Sequence, residues 1–226
     1  MDNDYKEVII LSKSRKHRGY CVAGIDCSNR SLVRLISNNP INHYATIDEN
    51  IEDKNGKIAE VLDDVIIESD LSGIVLPFQP ENITLNTNSK FINKGNYNKI
   101  NLKKIVDLIS NKYDYIYFNT NPCLSILELQ NINKKDMHSL ELIKPNILVL
   151  RVKDVDKHRL KGNILYKNRW YNNFAVTDIN FENSHYNEVA NSQCGYKTLH
   201  NPYLLISLGE EYNGYHYKLI ASILDI

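Results

Sequence analysis

A basic segment near the N terminus contains the residues whose chemistry is easiest to interpret. Residues 12–19 read SKSRKHRG and combine four permanently charged side chains with two hydroxyls and a histidine. Arginine offers a planar, two-pronged donor and lysine a point charge, so this segment has the groups that bind phosphate. A solvated hairpin loop that keeps a sheet edge soluble is the alternative interpretation. The phosphate contacts are assigned to Lys13, Arg15, Lys16 and Arg18, and Tyr20, directly after them, to base stacking.

Two further charged residues lie on strand faces that are otherwise apolar. Arg34 occurs in SLVRLIS and Lys218 in YKLIASIL, and alternation along a strand places each beside aliphatic neighbours. A charge on a buried face needs a partner or a ligand, because an isolated buried charge is costly. We predict that Lys218 pairs with Asp178 or Glu210. Structural pairing and ligand contact are equally consistent with the pattern.

Polar residues also stand where strands are predicted to end. Thr177 and Asp178 follow YNNFAV, and Glu210 follows PYLLISLG. A hydroxyl or carboxylate at such a position often caps a turn by accepting from local backbone amides. The alternative is a polar rim around a ligand-binding mouth.

Signatures of catalysis or of a metal centre are missing from the sequence. The seven histidines show no HxH or HxxxH spacing, and the four cysteines form no CxxC pair. Asp63 and Asp64 are adjacent on a predicted strand, so their carboxylates point to opposite faces and cannot act as one pair. No nucleophile elbow, P-loop or dinucleotide-binding motif occurs. We therefore expect no catalytic residue, no metal and no cofactor.

Composition limits the choice of partners. The 226 residues suffice for one or two domains, and Lys plus Arg equals Asp plus Glu at 27 each. A phosphate-binding protein usually carries a basic excess, so a nucleic-acid site here must come from local clustering of charge. The N-terminal residues do not resemble a signal peptide, and no apolar run approaches the length of a membrane span. We expect a cytoplasmic protein without membrane contact.

The pattern of apolar residues predicts strands at both ends and helix in the middle. Leu102, Ile105, Val106 and Ile109 recur at helical spacing, and a hairpin is expected to turn at Lys167-Asn168. A short helix is predicted within residues 123–129, and a long polar connection over residues 180–201. The strands are predicted at residues 7–13, 20–26, 31–37 and 60–68, then in NILVLRV, in the hairpin, in YLLISLGEE and in YHYKLIASILDI.

Four segments resemble a known family when they are taken in order. They are VIILSKSRKHRGYCVAGID with LVRLIS, LDDVIIE leading to PFQPENITL, FAVTDINFE, and LLISLGEEYNGYHYKLIASIL. Together they resemble the prokaryotic dual OB domain-containing proteins. The resemblance implies two OB-like β-barrels in one chain and a role in nucleic-acid binding. We predict a mainly β protein with barrels over residues 1–90 and 146–226 and a helical bridging segment over residues 91–145.

Three hypotheses about function follow. The first is nucleic-acid binding, with single strands favoured, phosphate contacts from the basic segment and Arg34, and stacking by Tyr20 and Trp170. The second is an enzyme or sensor for a nucleotide or a modified base, which we favour less. It would use an inter-barrel cleft with contributions from Arg34, Thr177, Asp178, Glu210 and Lys218. The third is a protein-interaction module, which the zero net charge permits.

Overall fold

The computed structural model describes residues 4–74 and 76–226, and strands dominate it. The chain divides into two compact units, one up to Leu108 and one spanning Ile109–Asp225. Each unit has its own sheet. The predicted mainly β architecture is confirmed, while the boundaries 1–90, 91–145 and 146–226 remain a proposal. Among the described residues, no helix combines the length and the apolar character needed to cross a bilayer.

The sheet of the first unit is built on an antiparallel meander. Its strands are β1 (Asp4–Lys16), β2 (Gly19–Asp26) and β3 (Leu32–Ile36). The other strands are β4 (Asp63–Ser69), β5 (Asn82–Thr84) and β6 (Ile92–Asn96). β4 pairs antiparallel with β1 and β6 with β4, whereas β5 pairs parallel with β3. Helix α1 (Lys99–Ile109) follows and buries Leu102 and Val106, two of the residues that predicted it.

One side of this sheet covers an aliphatic core to which Val8, Ile10 and Val22 contribute. The register moves from Ile10↔Gly24 to Ser12↔Ala23, so β1 contains a bulge opposite the glycine. A Cβ at Gly24 would lie 2.3 Å from the carbonyl oxygen of Ile9. Close approach of two backbones therefore requires glycine at this position.

The second unit contains a longer sheet with a similar meander. The meander consists of β9 (Ile147–Asp154), β10 (Arg159–Tyr166) and β11 (Arg169–Val176). The other strands are β7 (Cys123–Ser125), β8 (Leu140–Ile143), β12 (Tyr196–His200), β13 (Tyr203–Tyr212) and β14 (Tyr215–Leu224). β12 pairs antiparallel with β9, β14 pairs parallel with β11, and β13 and β7 both pair with β14. The hairpin predicted at Lys167-Asn168 is confirmed, with positive φ angles of 47° and 61° at its two turn residues.

The two units share a connectivity that the sequence does not display as a repeat. Each has a three-strand meander, a strand antiparallel to the first meander strand, and a later strand parallel to the third. This order agrees with the OB-like architecture implied by the resemblance.

Two sequence predictions about local structure were wrong. Residues 180–201 do not form one long polar connection, because they contain most of α3 (Ile179–Ala190) and all of β12. Residues 123–129 begin as β7, and the short helix α2 (Ile126–Gln130) starts only after the capping residue Ser125. The segment 91–145 thus includes strands β6, β7 and β8 as well as α1 and α2.

Candidate nucleic-acid interface

The basic segment is a strand end with a tight turn, because β1 extends beyond residue 13, where the sequence predicted the strand to end. β1 continues to Lys16, and only His17 and Arg18 form the turn to β2. Arg15 lies opposite Tyr20 in the ladder, and Lys16 lies opposite Gly19. The two-residue turn therefore concentrates the basic side chains at one end of the β1–β2 hairpin. Arg18 is exposed, whereas Arg15 and Lys16 are half-buried.

Lys13 takes part in contacts inside the first unit. Its ammonium lies 2.9 Å from Glu60 Oε1 and 4.7 Å from the centroid of the Tyr20 ring, and its side chain is only 10% exposed. Tyr20 packs against the aliphatic core, and burial raises the pKa of its hydroxyl, with Asp48 adding to the effect. Three cations of the hairpin therefore remain candidates for phosphate contact, namely Arg15, Lys16 and Arg18.

Arg34 is a structural residue in the first unit. It is 1% exposed, and its Nη1 donates to Oδ1 of Asn82 at 3.2 Å. The two residues are also register partners between β3 and β5. A guanidinium held in this way is not accessible to a phosphate backbone, and we therefore remove Arg34 from the phosphate-binding set.

The predicted pairing of Lys218 with Asp178 or Glu210 is wrong. Lys218 is buried, and its Nζ donates to Ile116 O, Asn119 O and Asn119 Oδ1 at 2.7, 2.7 and 2.8 Å. No carboxylate of the described residues lies within ion-pair distance of it. Three acceptors satisfy the three protons of an ammonium, while burial lowers the pKa of Lys218 to about 7.

A buried carboxylate binds the same segment from another strand. Glu141 Oε1 accepts from the backbone amide of Tyr117 at 2.8 Å and lies 2.7 Å from His138 Nε2. Its Oε2 is buried and has no hydrogen-bond partner among the described residues. Lys218 and Glu141 together fix residues 116–119, where Tyr117 and Phe118 have positive φ angles of 45° and 68°. No local sequence pattern indicates this network, because Tyr117 and Glu141 are 24 positions apart in the chain.

Asp178 and Thr177, two of the polar residues at predicted strand ends, hydrogen-bond backbone groups of the second unit. Asp178 is the N-cap of α3, with Oδ1 accepting from Phe181 N and Oδ2 from Ile223 N, each at 2.9 Å. Burial raises the pKa of Asp178. Thr177 donates its hydroxyl to Ile220 O at 3.3 Å. Of the charged residues in the enzyme hypothesis, only Glu210 keeps partial exposure.

One group of side chains in the first unit has metal-ligating chemistry. Glu7, Cys27 and Asp64 each offer a ligand atom, and these atoms lie within 4.8 Å of one another. Lys94 Nζ lies 2.5 Å from Glu7 Oε1 and 3.0 Å from Asp64 Oδ2, so an ammonium already balances the carboxylates. Burial, followed by the nearby carboxylates, raises the pKa of Cys27 to about 11, which disfavours the thiolate that a metal requires. We assign no metal to this group.

Trp170 lies on an exposed strand face of the second unit. It is 48% exposed on β11, two residues after the Lys167-Asn168 turn. Arg151, Lys161 and Tyr196 point to the same face from neighbouring strands, and sequence reasoning missed all three. The signal that could have found them is the alternation in ILVLRVK, where buried leucines separate outward positions.

Comparison with known proteins identifies the family of the chain. No curated protein sequence matches it. Among solved structures, the crystal structure of the tetrameric p202 HIN2 matches with a TM-score of 0.29 and 7% identity, covering 100% of this chain and 96% of that one. Similarity at this level carries no argument about fold or function. The model of the dual OB-containing domain, in contrast, matches residues 6–223. This chain therefore belongs to the family of proteins with a dual OB-containing domain.

Proposed function

We propose that this protein binds nucleic acid, that it favours single strands, and that the β1–β2 hairpin contacts the phosphates. The observation that carries the proposal is the placement of Arg15, Lys16 and Arg18 at the turned end of that hairpin. OB folds hold oligonucleotides with the loop between their first two strands, among other elements. Arginine and lysine at that position supply the charge-assisted donors that phosphate oxygens accept.

The preference for single strands rests on the exposed tryptophan. Base stacking on an aromatic ring is worth about 1–3 kcal/mol per base, and it requires a base that is not already stacked in a duplex. Trp170 is 48% exposed and can offer a ring face to such a base. The zero net charge of the chain is compatible with this proposal, because binding depends on local clusters of cations.

The hairpin can be tested with a triple variant and a control of equal charge. The variant carries Arg15→Ala, Lys16→Ala and Arg18→Ala. The control replaces three exposed cations elsewhere in the first unit, with the changes Lys54→Ala, Lys99→Ala and Lys104→Ala. Both are titrated with labelled single-stranded DNA and RNA oligonucleotides at several salt concentrations.

Loss of three phosphate contacts should flatten the log–log salt dependence by about 2 units, because each contact to a single strand contributes about 0.7. The control should retain the affinity and the slope of the wild type. Equal behaviour of the two folded variants would remove the hairpin from the proposal. Absence of wild-type binding to every DNA and RNA oligonucleotide would refute the function itself.

A further inference from the structure

The outer face of the second unit's meander has the composition of a binding surface. Along β9, Leu148 and Leu150 are fully buried, while Arg151, directly after Leu150, is exposed. The opposite side of the strands carries buried aliphatic residues such as Leu160 and Ile164. We infer that this face, formed by β9, β10, β11 and β12, is a second site for single-stranded nucleic acid; the inference rests on the proposed function.

The register brings cations and an aromatic ring into one row across three strands. Arg151 on β9 is the partner of Lys161 on β10 and of Tyr196 on β12. Side chains of register partners stand on the same face of a sheet, so these three are neighbours. Tyr196 is 44% exposed at the outer end of the row.

A second row on the same face ends at Trp170. Ile147 on β9 is the partner of Leu165 on β10, and Leu165 is the partner of Trp170 on β11. Four residues along β9 separate the two rows, which corresponds to about 13 Å. The two aromatic residues are also three strands apart, or about 14 Å, so they lie on a diagonal of roughly 19 Å. A single strand of several nucleotides can therefore lie along this diagonal. One base stacks on each aromatic ring, and the phosphates between these two bases lie near the cations.

The charge of these strands is strongly asymmetric. β9, β10, β11 and β12 together contain six lysines and arginines but a single acidic residue, Asp154, next to a turn. Arg159 and Lys197 contact Glu182 and Glu188 of α3, respectively.

Three of the cations have no such partner. Within residues 4–74 and 76–226, Arg151, Lys153 and Lys161 form no ion pair and no side-chain hydrogen bond. A polyanion can balance these charges. The exposed aromatic rings favour a polyanion that carries bases over an acidic polypeptide, because bases stack on aromatic rings.

The intrinsic fluorescence of the protein gives a direct readout of this face. Trp170 is the single tryptophan of the chain, so a change in tryptophan emission on binding reports from this surface. We expect a mixed-sequence single-stranded oligonucleotide to quench Trp170 saturably in the full-length protein. Poly-glutamate at matched charge should not.

Variants then separate this site from the hairpin. Arg151→Gln with Lys161→Gln should weaken binding about tenfold or more and flatten the salt slope by about 1.4 units. Tyr196→Leu should weaken binding by about tenfold through lost stacking. The control pair Lys134→Gln and Lys135→Gln removes two exposed cations of the same unit and should leave binding unchanged.

Each contrary result has a distinct meaning. Oligonucleotide binding with no change in Trp170 emission, and with the Arg151/Lys161 variant equal to its control, would overturn this site and the stacking role of Trp170, while nucleic-acid binding through the β1–β2 hairpin would stand. Equal quenching by poly-glutamate would show an acidic-polypeptide surface and overturn the assignment to nucleic acid. A wild-type protein that binds no oligonucleotide would refute the proposed function together with this inference.

Discussion

Lys218 provides a quantitative test of how the second unit is held together. Lys218→Met keeps the aliphatic stem and removes the donor of three hydrogen bonds, which leaves Ile116 O, Asn119 O and Asn119 Oδ1 without it. A buried acceptor that loses its partner costs about 1–3 kcal/mol. Three such acceptors together cost about 3–9 kcal/mol. Better burial of the methionine offsets part of the sum, so we expect a loss of about 3–5 kcal/mol in the free energy of unfolding at pH 7.

Urea unfolding, monitored by tryptophan emission, measures the change in the free energy of unfolding of the second unit. Trp170 is the single tryptophan and lies in the second unit, so its signal follows the unfolding of that unit. Lys153→Met is the control, because an exposed substitution usually changes stability by less than about 0.5 kcal/mol. If Lys218→Met stays within about 1 kcal/mol of the wild type, the argument from the three acceptors is refuted.

The pH dependence of the same variant tests the protonation of Lys218. Burial lowers its pKa to about 7, whereas a lysine in the unfolded chain titrates near 10.4. Between these values the unfolded chain binds the additional proton, so the wild-type free energy of unfolding rises with pH by up to about 1.4 kcal/mol per unit. Lys218→Met lacks this contribution, and the gap between the two proteins should widen by roughly 2–3 kcal/mol from pH 7 to pH 9. A constant gap would show that the three hydrogen bonds keep the ammonium charged.

Three further outcomes follow from individual contacts. Asp178→Ala should lower the free energy of unfolding of the second unit by about 2–3 kcal/mol in the same urea assay, because it removes a helix cap and a partner of a buried amide. Lys13→Ala should change oligonucleotide affinity by less than twofold in the titration, since Lys13 contacts Glu60 and Tyr20, and a larger loss would return it to the interface. At pH 8, iodoacetamide should alkylate the exposed Cys194 well before Cys27, which has a pKa of about 11 and hence about one thiolate in a thousand. Peptide mass spectrometry measures the two rates, and equal rates would contradict the burial of Cys27.

The sequence predicted most strands and one helix because their residues follow a simple period. β1 and β14 are dense in β-branched and aliphatic residues, and α1 repeats its apolar positions at helical spacing. Helix α3 escaped prediction because its buried positions include Glu182 and Tyr186, so its inward face does not read as apolar. A carboxylate inside a helix face becomes interpretable only when its partner is known, and here Glu182 accepts from the backbone amide of Leu160.

The candidate site was only partly predictable, for a related reason. The cluster of cations in residues 12–19 is visible in the sequence, but the contacts of each cation depend on distant residues. Lys13 meets Glu60, 47 positions away, and Lys218 meets Ile116, 102 positions away. No local pattern encodes such partners. The outward-facing positions of β9, in contrast, can be predicted from strand alternation alone, once Leu148 and Leu150 are assigned to the buried face.

The parallel pairing of β14 with β11 has a consequence for synthesis on the ribosome. Every strand of the first unit's sheet has been made by the time β6 is complete, so that sheet can form while translation continues. The second unit cannot close at this stage, because β14 is the last of its strands to be made and pairs with β7, β11 and β13. Until β14 emerges, aliphatic strands with unpaired edges remain available to other chains and to chaperones. Nascent chains arrested before Tyr215 should therefore contain a protease-resistant first unit followed by a protease-sensitive second one.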